Sequence, residues 1–503
     1  MRLRRTRLAG CVVGLTFAFI APGLLAQEHS GPEYRSLGWL TYVPGNYSDA
    51  ARAIQVDLDG NIWIAGSTSS KMDFPGPNDP FQSAIKGRSD IFLAKYRPEP
   101  DGRSTLLFWT WIGGAGDDDV RAMALDEQGH VYLTGSTTSD DFPTTDGAPV
   151  KERKGGTDAY LVVVDPSQGG ESSLVFSTYL GGSGTDIGYA LALHDGDVFV
   201  TGATGSYDFT GTGSGLQGSN RGGTDAFLVR ISPFGEGPLR YFTYLGGAGA
   251  DTATGIAIDS EGIVWISGYT SSQDFPVVEG SHQLELLGRM NGFLSGIDLS
   301  RQGLDALIYG SFFGGSYSDF PTQMKIDAQG SLWVGGYTLS GDFPTTAGAF
   351  QQGLAGQTDA FVIKLNPKGD AGQFVAYGTL LGGVGAEVLY SLVPLADGRI
   401  AVAGYNLFGD FPATPQALQL SPRSIFEDSF IAILDPEASG LEALPYATYF
   451  GGSYTDIVTS LAADDSGHLY FAGYTYSKDL GATDGSWRNS IGASAFAAKL
   501  KRD

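Results

Sequence analysis

Short stretches in which apolar and polar residues alternate recur along the whole chain. Clear examples are Val-Tyr-Leu-Thr-Gly at 131–135 and Val-Trp-Ile-Ser-Gly at 264–268. Alternation with a period of two is typical of strands that bury one face. Asp-x-x-Gly turns, as at 259–262 and 327–330, separate such stretches at hairpin distance. No run of ten residues has a helical period, so the pattern predicts an all-β chain.

A five-residue motif marks an internal repeat. Thr-Tyr-Leu-Gly-Gly occurs at 178–182 and at 243–247. Close variants occur at 41–45, 110–114, 311–315, 379–383 and 448–452. The spacing between the seven copies stays between 65 and 69 residues. Each copy contains four predicted strands, which in the third copy cover 187–193, 198–204, 224–229 and 240–245.

Four strands per copy, seven copies and no helices predict a seven-bladed β-propeller with four antiparallel strands per blade. An open β-solenoid is the alternative, but solenoid coils are usually much shorter than this repeat. We name the strands A to D, where strand A follows the acidic residue of Gly-Gly-x-x-x-Asp. The chain begins with a strand D at 38–43 and ends with a strand C at 495–500. We therefore expect the N-terminal strand to close the last blade.

Three recurring motifs carry a resemblance to a known family. They are Tyr-Leu-Gly-Gly-x-Gly-x-Asp, Gly-Tyr-Thr-x-Ser-x-Asp-Phe-Pro and Gly-Gly-Thr-Asp-Ala-Phe-Leu. Together they resemble the bacterial SBBP-type β-propeller repeat over residues 38–500. The resemblance implies a propeller in an exported or surface-associated protein, and it implies no reaction. The fourth copy has Asn291 and Gly292 where others have Asp-Ala, so we do not expect a strictly sevenfold site.

Residues 1–26 have the pattern of a secretory signal peptide. An n-region with four arginines precedes an apolar run at 11–25, and Ala26 is a small residue for cleavage. The alternative of a membrane anchor needs a longer apolar run. A lipoprotein box at Cys11 would need the apolar segment before it, not after it. We expect export to the periplasm, the outer surface or the medium, with no membrane span after cleavage.

The predicted organisation is a signal peptide at 1–26, a lead-in at 27–36 and one propeller domain at 37–503. Removal of four of the 31 basic residues leaves 27 against 55 acidic residues, a net charge of −28. Such a chain repels nucleic acid and anionic lipid, and the charge favours solubility outside the cell. Cys11 is the only cysteine, so the mature chain has no disulfide. We expect a monomer.

An acidic residue follows Gly-Gly in every copy. Because strand A lines the channel of a propeller, we expect these seven carboxylates around one channel mouth. They are Asp49, Asp118, Asp186, Asp251, Asp319, Glu387 and Asp456. A ring of oxygen ligands could hold a hard cation such as calcium, the one cofactor that the sequence suggests. The alternative is that each carboxylate caps its own turn.

Two further positions recur in most copies. The Asp-Phe-Pro units place a phenylalanine after strand B, which we expect to fill the gap between blades. These residues are Phe74, Phe142, Phe275, Phe343 and Phe411. An aromatic ring around a ligand is the alternative. An aspartate also opens strand C, and we expect it on the same face as the Gly-Gly loops. These residues are Asp90, Asp158, Asp225, Asp359 and Asp428.

Several enzyme classes lack support in this sequence. The five histidines form no pair with metal-binding spacing, and no Gly-x-Ser-x-Gly elbow or phosphate loop occurs. We therefore predict an exported, non-catalytic binding or scaffold module. Its partner, an unidentified protein or polysaccharide, would bind the face with the variable B–C loops, such as 281–291 and 413–427. The alternative is an extracellular carbohydrate-active hydrolase or lyase that uses paired carboxylates.

Overall fold

The computed structural model confirms a seven-bladed propeller: 28 strands form seven antiparallel four-stranded sheets. The structure describes residues 34–43, 45–71, 76–77, 79–209, 215–235, 237–368, 373–408, 410–483 and 492–502. All of them lie in one compact unit, Pro32–Asp503. The predicted signal peptide and Phe74 lie outside the described residues.

The strands of each blade follow one another in the chain from the innermost strand A to the outermost strand D. Blade 1 has β2 (Asp49–Val56), β3 (Ile62–Thr68), β4 (Asp90–Pro98) and β5 (Ser104–Ile112). Blade 2 has β6 (Asp118–Leu125), β7 (Val131–Thr137), β8 (Asp158–Val164) and β9 (Leu174–Leu180). Blade 3 has β10 (Asp186–His194), β11 (Asp197–Thr204), β12 (Asp225–Ile231) and β13 (Leu239–Leu245).

The remaining blades repeat this order, except that the last one also uses the first strand of the chain. Blade 4 has β14 (Asp251–Ile258), β15 (Val264–Thr270), β16 (Asn291–Ile297) and β17 (Leu307–Phe313). Blade 5 has β18 (Asp319–Ile326), β19 (Leu332–Thr338), β20 (Asp359–Leu365) and β21 (Val375–Leu381). Blade 6 has β22 (Ala386–Pro394), β23 (Ile400–Leu407), β24 (Asp428–Leu434) and β25 (Tyr446–Phe450). Blade 7 has β26 (Asp456–Ala463), β27 (Leu469–Thr475), β28 (Ser494–Lys501) and β1 (Ser36–Tyr42).

The ring closes through pairing of the two ends of the chain, as the strand order predicts. Strand β1 pairs antiparallel with β28, and the register runs from Ser36 opposite Lys501 to Tyr42 opposite Phe496. The strand also packs against both neighbouring blades. Leu40 belongs to the hydrophobic cluster between blades 6 and 7, and Trp39 to the cluster between blades 7 and 1. One strand therefore completes a sheet and two blade interfaces.

Seven hydrophobic clusters form the core, one between each pair of neighbouring blades. Each sheet buries both faces in this way, which explains why strands such as β8 and β24 are buried along their whole length. The blades are also linked by the backbone where strand C begins. The amide of Asp118 donates to the carbonyl of Ser89 at 2.8 Å, and Asp251 repeats this with Thr224. Neighbouring blades are thus held in a fixed register.

The turns between strands A and B lie on the face opposite the Gly-Gly loops. In blade 4, a carboxylate oxygen of Asp259 accepts the amides of Glu261 and Ile263. Gly262 has a φ of 79°, which a side chain would disfavour. The turn chemistry therefore matches the Asp-x-x-Gly prediction.

Helical structure in the described residues is limited to short 3-10 turns between strands C and D. They include Gly170–Ser173, Gly303–Ala306 and Gly440–Ala443. None of the described helices is long and apolar enough to cross a membrane.

Candidate functional site

The seven acidic residues at the start of strand A are buried between two loops and do not face the channel. The side chain of Asp251 is a typical case. Its carboxylate accepts the amide of Gly247 at 2.8 Å and the hydroxyl of Ser272 at 2.8 Å, and it also bonds the hydroxyl of Thr270. Glu387 is held by the amide of Gly383 and by the side chain of Asn406. These bonds tie the Gly-Gly loop to the end of strand B in blades 2–7.

Burial controls the protonation of the seven acidic residues at the start of strand A. Loss of solvation raises the pKa of Asp49 and Asp118 to about 6, against the hydroxyl and amide donors that lower it. The same cause raises the pKa of Glu387 to about 7. The carboxylates are buried because the loops close over them, so their protons bind more tightly in the folded protein than in the unfolded chain.

The strand-C aspartates lie beside the strand-A carboxylates of the following blade. Burial, hydrogen bonds and the charge of Asp251 set the pKa of Asp225, which is raised to about 6. Blade 4 shows the same contact with an amide instead of a carboxylate. The Asn291 Nδ2 donates to Asp319 Oδ2 at 2.9 Å and to the carbonyl of Gly315 at 2.8 Å. An Asn at this position thus relieves a repulsion between like charges.

The replacement Asp225→Asn is therefore expected to stabilise the protein at pH 8 by about 1 kcal/mol, because the amide can donate to Asp251. The gain is expected to shrink at pH 5, where the wild-type pair already shares a proton. Urea unfolding at both pH values measures the effect, with Asp305→Asn at an exposed 3-10 turn as the control. Equal destabilisation at both pH values would contradict the interpretation.

The described phenylalanines of the Asp-Phe-Pro units are buried in the blade interfaces. Phe142 lies in the cluster between blades 1 and 2, with ring centroids 4.9 Å from Tyr160 and 5.9 Å from Tyr179. Phe275, Phe343 and Phe411 lie in the clusters between blades 3 and 4, between blades 4 and 5, and between blades 5 and 6. None of these four rings lines the channel cavity.

A cavity of about 710 Å³ occupies the central channel. It extends along strand A from Ala386, at the Gly-Gly loop face, to Gln55 and Lys325, six residues beyond the acidic position. A cavity of this volume is in the range that holds small ligands, roughly 300–1,000 Å³. The end of the cavity at Ala386, which we call the cavity mouth, lies on the same face as the B–C loops, because strand A begins and strand B ends on that face.

The residue three positions after each acidic residue decides the shape of this cavity. A β-bulge occurs there in all seven blades, so the residue is unpaired and its side chain is directed into the channel. In blades 4, 5 and 7 it is a threonine that bonds the next blade. The hydroxyl of Thr322, for example, donates to the carbonyl of Leu389 at 2.7 Å.

Four blades replace this threonine with a long side chain. The residues are Arg52, Arg121, Tyr189 and Tyr390 in blades 1, 2, 3 and 6, and all four line the cavity. Each replacement gives up the threonine bond between neighbouring blades. Loss of a structural bond at a repeated position, in exchange for a side chain in a cavity, is typical of a functional site.

In blades 1–3, a small residue on strand B lies beside the long side chain of strand A. The residue before the final Thr or Asn of strand B is Ser67, Ser136 or Ala203 in blades 1–3, which leaves space for the long side chains of strand A. In blades 4–7 the same position is Tyr269, Tyr337, Tyr405 and Tyr474. Aromatic rings therefore cover most of the wall, and the two arginines occupy the remaining side.

Asp119 orients the two arginines. Its carboxylate lies 2.8 Å from an NH2 nitrogen of Arg121 and 4.0 Å from the Nε of Arg52. The hydroxyl of Ser67 also bonds Asp119. Each guanidinium lies near a tyrosine of the neighbouring blade, Arg52 at 5.9 Å from the centroid of Tyr474 and Arg121 at 6.0 Å from that of Tyr189.

The third cation lies deeper in the channel. Burial lowers the pKa of Lys325, and within the described residues no neighbouring charge contributes to this shift. The positive charges of the two arginines also affect Tyr390 on the opposite side of the channel. Burial raises the pKa of Tyr390, whereas the positive charges of Arg52 and Arg121 oppose this increase.

Prediction from motifs missed these cavity residues, because it selected the positions that recur. The sequence nevertheless holds a signal. Alignment of the seven copies at the acidic residue shows Arg, Arg, Tyr, Thr, Thr, Tyr and Thr three positions later. The variable position in a regular repeat is the one that carries the difference between the blades.

Comparison with family models agrees with the architecture. Residues 110–143 and 240–276 match the model described as SBBP: Beta-propeller repeat. The protein is a seven-bladed propeller in which two segments match the SBBP repeat. Both matches cover the Gly-Gly loop and strands A and B, the part of the SBBP repeat that builds the channel wall.

One curated relative is the regulatory protein FlaEY from Caulobacter vibrioides, 26% identical over 326 residues. The match covers 60% of this chain and 32% of the relative, so the chain spans about a third of the relative's length.

Solved structures with a similar fold have low sequence identity to this protein. The WD40 propeller domain of Doa1 is 12% identical, covers 94% of this chain and 98% of its own, and has a TM-score of 0.45. The extracellular domain of the putative hybrid two-component system BT4673 from B. thetaiotaomicron is 13% identical, covers 93% and 42%, and has a TM-score of 0.40.

Cation binding by the acidic ring stays a prediction. Among the described residues no group of three or more His, Cys, Asp or Glu side chains is placed to hold a metal ion. If these seven carboxylates bind calcium, millimolar calcium is expected to raise the melting midpoint, because a ligand that binds only the folded state stabilises it. Magnesium at equal ionic strength is the control, and an unchanged midpoint would contradict the prediction.

Proposed function

We propose that the protein is an exported, non-catalytic binding module whose ligand occupies the central channel. The observation that carries the proposal is the set of bulge positions at which four blades exchange a structural threonine for Arg or Tyr. The result is one asymmetric cavity in an otherwise regular ring. A rigid scaffold with such a cavity is suited to recognition.

The lining of the cavity supports binding over hydrolysis. Within the described residues, no Asp, Glu, His or Cys lines it. The carbohydrate-active alternative requires two carboxylates on either side of the scissile bond. Two carboxylates lie near the wall and are bound by other groups: that of Asp119 is held by Arg121 and Ser67, and that of Glu427 accepts the hydroxyl of Thr455. The description of the relative as a regulatory protein is also compatible with a protein that acts by binding.

Export is part of the proposal and rests on residues 1–26. The four arginines, the apolar run and the small residue at the end have the order of a signal peptide. N-terminal sequencing of the protein from a periplasmic extract is expected to begin close to Gln27. A chain that retains Met1 and stays in the cytoplasm would contradict export without affecting the cavity.

The cavity is tested by giving blade 6 the residues that other blades carry at the same positions. The double variant Tyr390→Thr and Tyr405→Ser is expected to keep its melting midpoint, because Thr restores a bond to the next blade. Binding of a ligand selected from bacterial envelope polysaccharides and peptides is expected to weaken at least tenfold. Isothermal titration calorimetry measures the affinity.

The matched control is Phe234→Ala. Phe234 is an exposed aromatic residue in the turn after β12, on the face opposite the cavity mouth. Equal affinities of the wild type, the blade-6 variant and the control would show that the ligand binds elsewhere, for instance on the B–C loops. That result would contradict the channel as the binding site.

A further inference from the structure

The charged residues of the cavity have the opposite sign to the protein as a whole. The chain has 55 acidic and 31 basic residues. Among the described residues, the three charged ones that line the cavity are Arg52, Arg121 and Lys325, and all are cationic. A cleft of one sign with low-dielectric walls concentrates ions of the opposite sign. The cavity is therefore suited to an anion, although the outer surface repels one.

The cations are available to a ligand. Asp119 neutralises one charge, which leaves a net positive charge beside the two guanidinium groups. The side chains of Arg52 and Arg121 are 32% and 38% exposed. A guanidinium group binds a carboxylate through two parallel bonds. The pair can therefore hold one carboxylate or two on neighbouring units.

The opposite wall offers hydroxyl groups on aromatic rings. In the described part of the chain, the phenol groups of Tyr189, Tyr269, Tyr337, Tyr390, Tyr405 and Tyr474 make no hydrogen bond to the protein. Each can donate and accept a bond at the edge of an apolar face. A ligand that matches this wall has many hydroxyl groups around apolar ring faces. Pyranose rings have this chemistry.

A peptide matches the wall less well. Extended peptides bind by pairing with the edge of a regular strand. The channel edge of every strand A is interrupted by the bulge at its lining position, which breaks such pairing. Recognition in this cavity therefore depends on side chains.

We infer that the channel binds an acidic saccharide, a short chain of pyranose rings with carboxylate groups, whose acid faces Arg52 and Arg121 and whose rings contact the tyrosine wall. This inference rests on the proposed function and adds the class of ligand. The cavity volume of about 710 Å³ fits the end of a chain or a short oligosaccharide.

The test compares trigalacturonic acid with its methyl ester, which keeps the three rings and removes the charges. Calorimetric titration at low salt is expected to show at least tenfold tighter binding of the acid. Arg52→Gln and Arg121→Gln are expected to weaken binding of the acid at least tenfold and to leave the ester unchanged. Arg103→Gln, which alters an exposed arginine between β4 and β5, is the control and is expected to bind like the wild type.

Melting curves of each variant verify folding, and Arg121→Lys, which retains the charge, is expected to keep part of the preference for the acid. Equal binding of acid and ester, lost in the blade-6 variant, would overturn the inference and leave the channel as the binding site. Binding of pentaglutamate but not of trigalacturonic acid would also overturn it, in favour of an acidic peptide. If none of these probes binds, the inference of an acidic saccharide is overturned as well. The proposed function is tested separately, with the ligand selected from envelope polysaccharides and peptides.

Discussion

A mature chain that begins at Val43 instead of Gln27 is expected to lose most of its stability. The truncation removes β1, which completes blade 7 and packs into two blade interfaces. The side chains of Trp39, Leu40 and Tyr42 are buried, and each contributes about 1.5–3 kcal/mol. Their sum is comparable with the whole stability of an ordinary domain, about 5–15 kcal/mol. A fall of roughly 5–10 °C in the melting midpoint is expected by calorimetry, because the unfolding entropy of a domain of this size is about 1 kcal/mol/K.

A circular permutant separates loss of the strand from loss of the chain end. Ser36 lies opposite Lys501 in the antiparallel pair, so a short turn can join β28 directly to β1. A chain that starts at Val43 and carries 36–42 after such a turn is expected to melt close to the wild type. If the truncated chain is as stable as the permutant, closure by β1 does not stabilise the ring.

The second large effect is an increase in stability between pH 8 and pH 5. Burial raises the pKa of Asp49, Asp118, Asp225 and Asp428 to about 6 and that of Glu387 to about 7. A carboxyl whose pKa is raised by folding stabilises the folded protein fully below its unfolded pKa, about 4. That contribution is lost as the pH rises through 6 to 7. Five sites at about 1 kcal/mol each give a gain of roughly 3–5 kcal/mol at pH 5.

Urea unfolding at constant ionic strength between pH 5 and pH 8 measures this gain. Other carboxylates act in the opposite direction at lower pH. Hydrogen bonds to His130 and Tyr132 outweigh burial and lower the pKa of Asp126, so its contribution is lost only in acid. Maximum stability is therefore expected near pH 5, and Asp225→Asn is expected to reduce the slope above it. A free energy of unfolding that falls from pH 8 to pH 5 would contradict protonation of the buried strand-A and strand-C carboxylates in this range.

The regular features of the fold could be read from the sequence because they depend on local contacts. Alternation and turn residues locate most strands to within about two residues; β10, for example, was expected at 187–193 and covers Asp186–His194. The strand order at the two ends of the chain predicted closure by the N-terminal strand, which the pairing of β1 with β28 confirms. Each of these conclusions needs only neighbouring residues or the count of repeats.

The direction of individual side chains needed the tertiary structure. The recurrence of Asp251 and its equivalents allows either a channel ring or a capped turn, and only the folded loops show Gly247 and Ser272 at its oxygens. The lining of the cavity depends on the tertiary structure even more. Arg52 contacts Tyr474 because ring closure makes blades 1 and 7 neighbours, although the residues lie at opposite ends of the chain.

The sequence by itself determined the number of blades, their strand order and the way the ring closes, since a repeated local pattern needs no distant information. The tertiary structure decided which position of strand A is directed into the channel. A bulge adds one residue to the strand and directs its side chain away from the sheet, and alternation alone does not reveal it. The cationic and aromatic sides of the cavity meet only when seven such positions are brought around one axis.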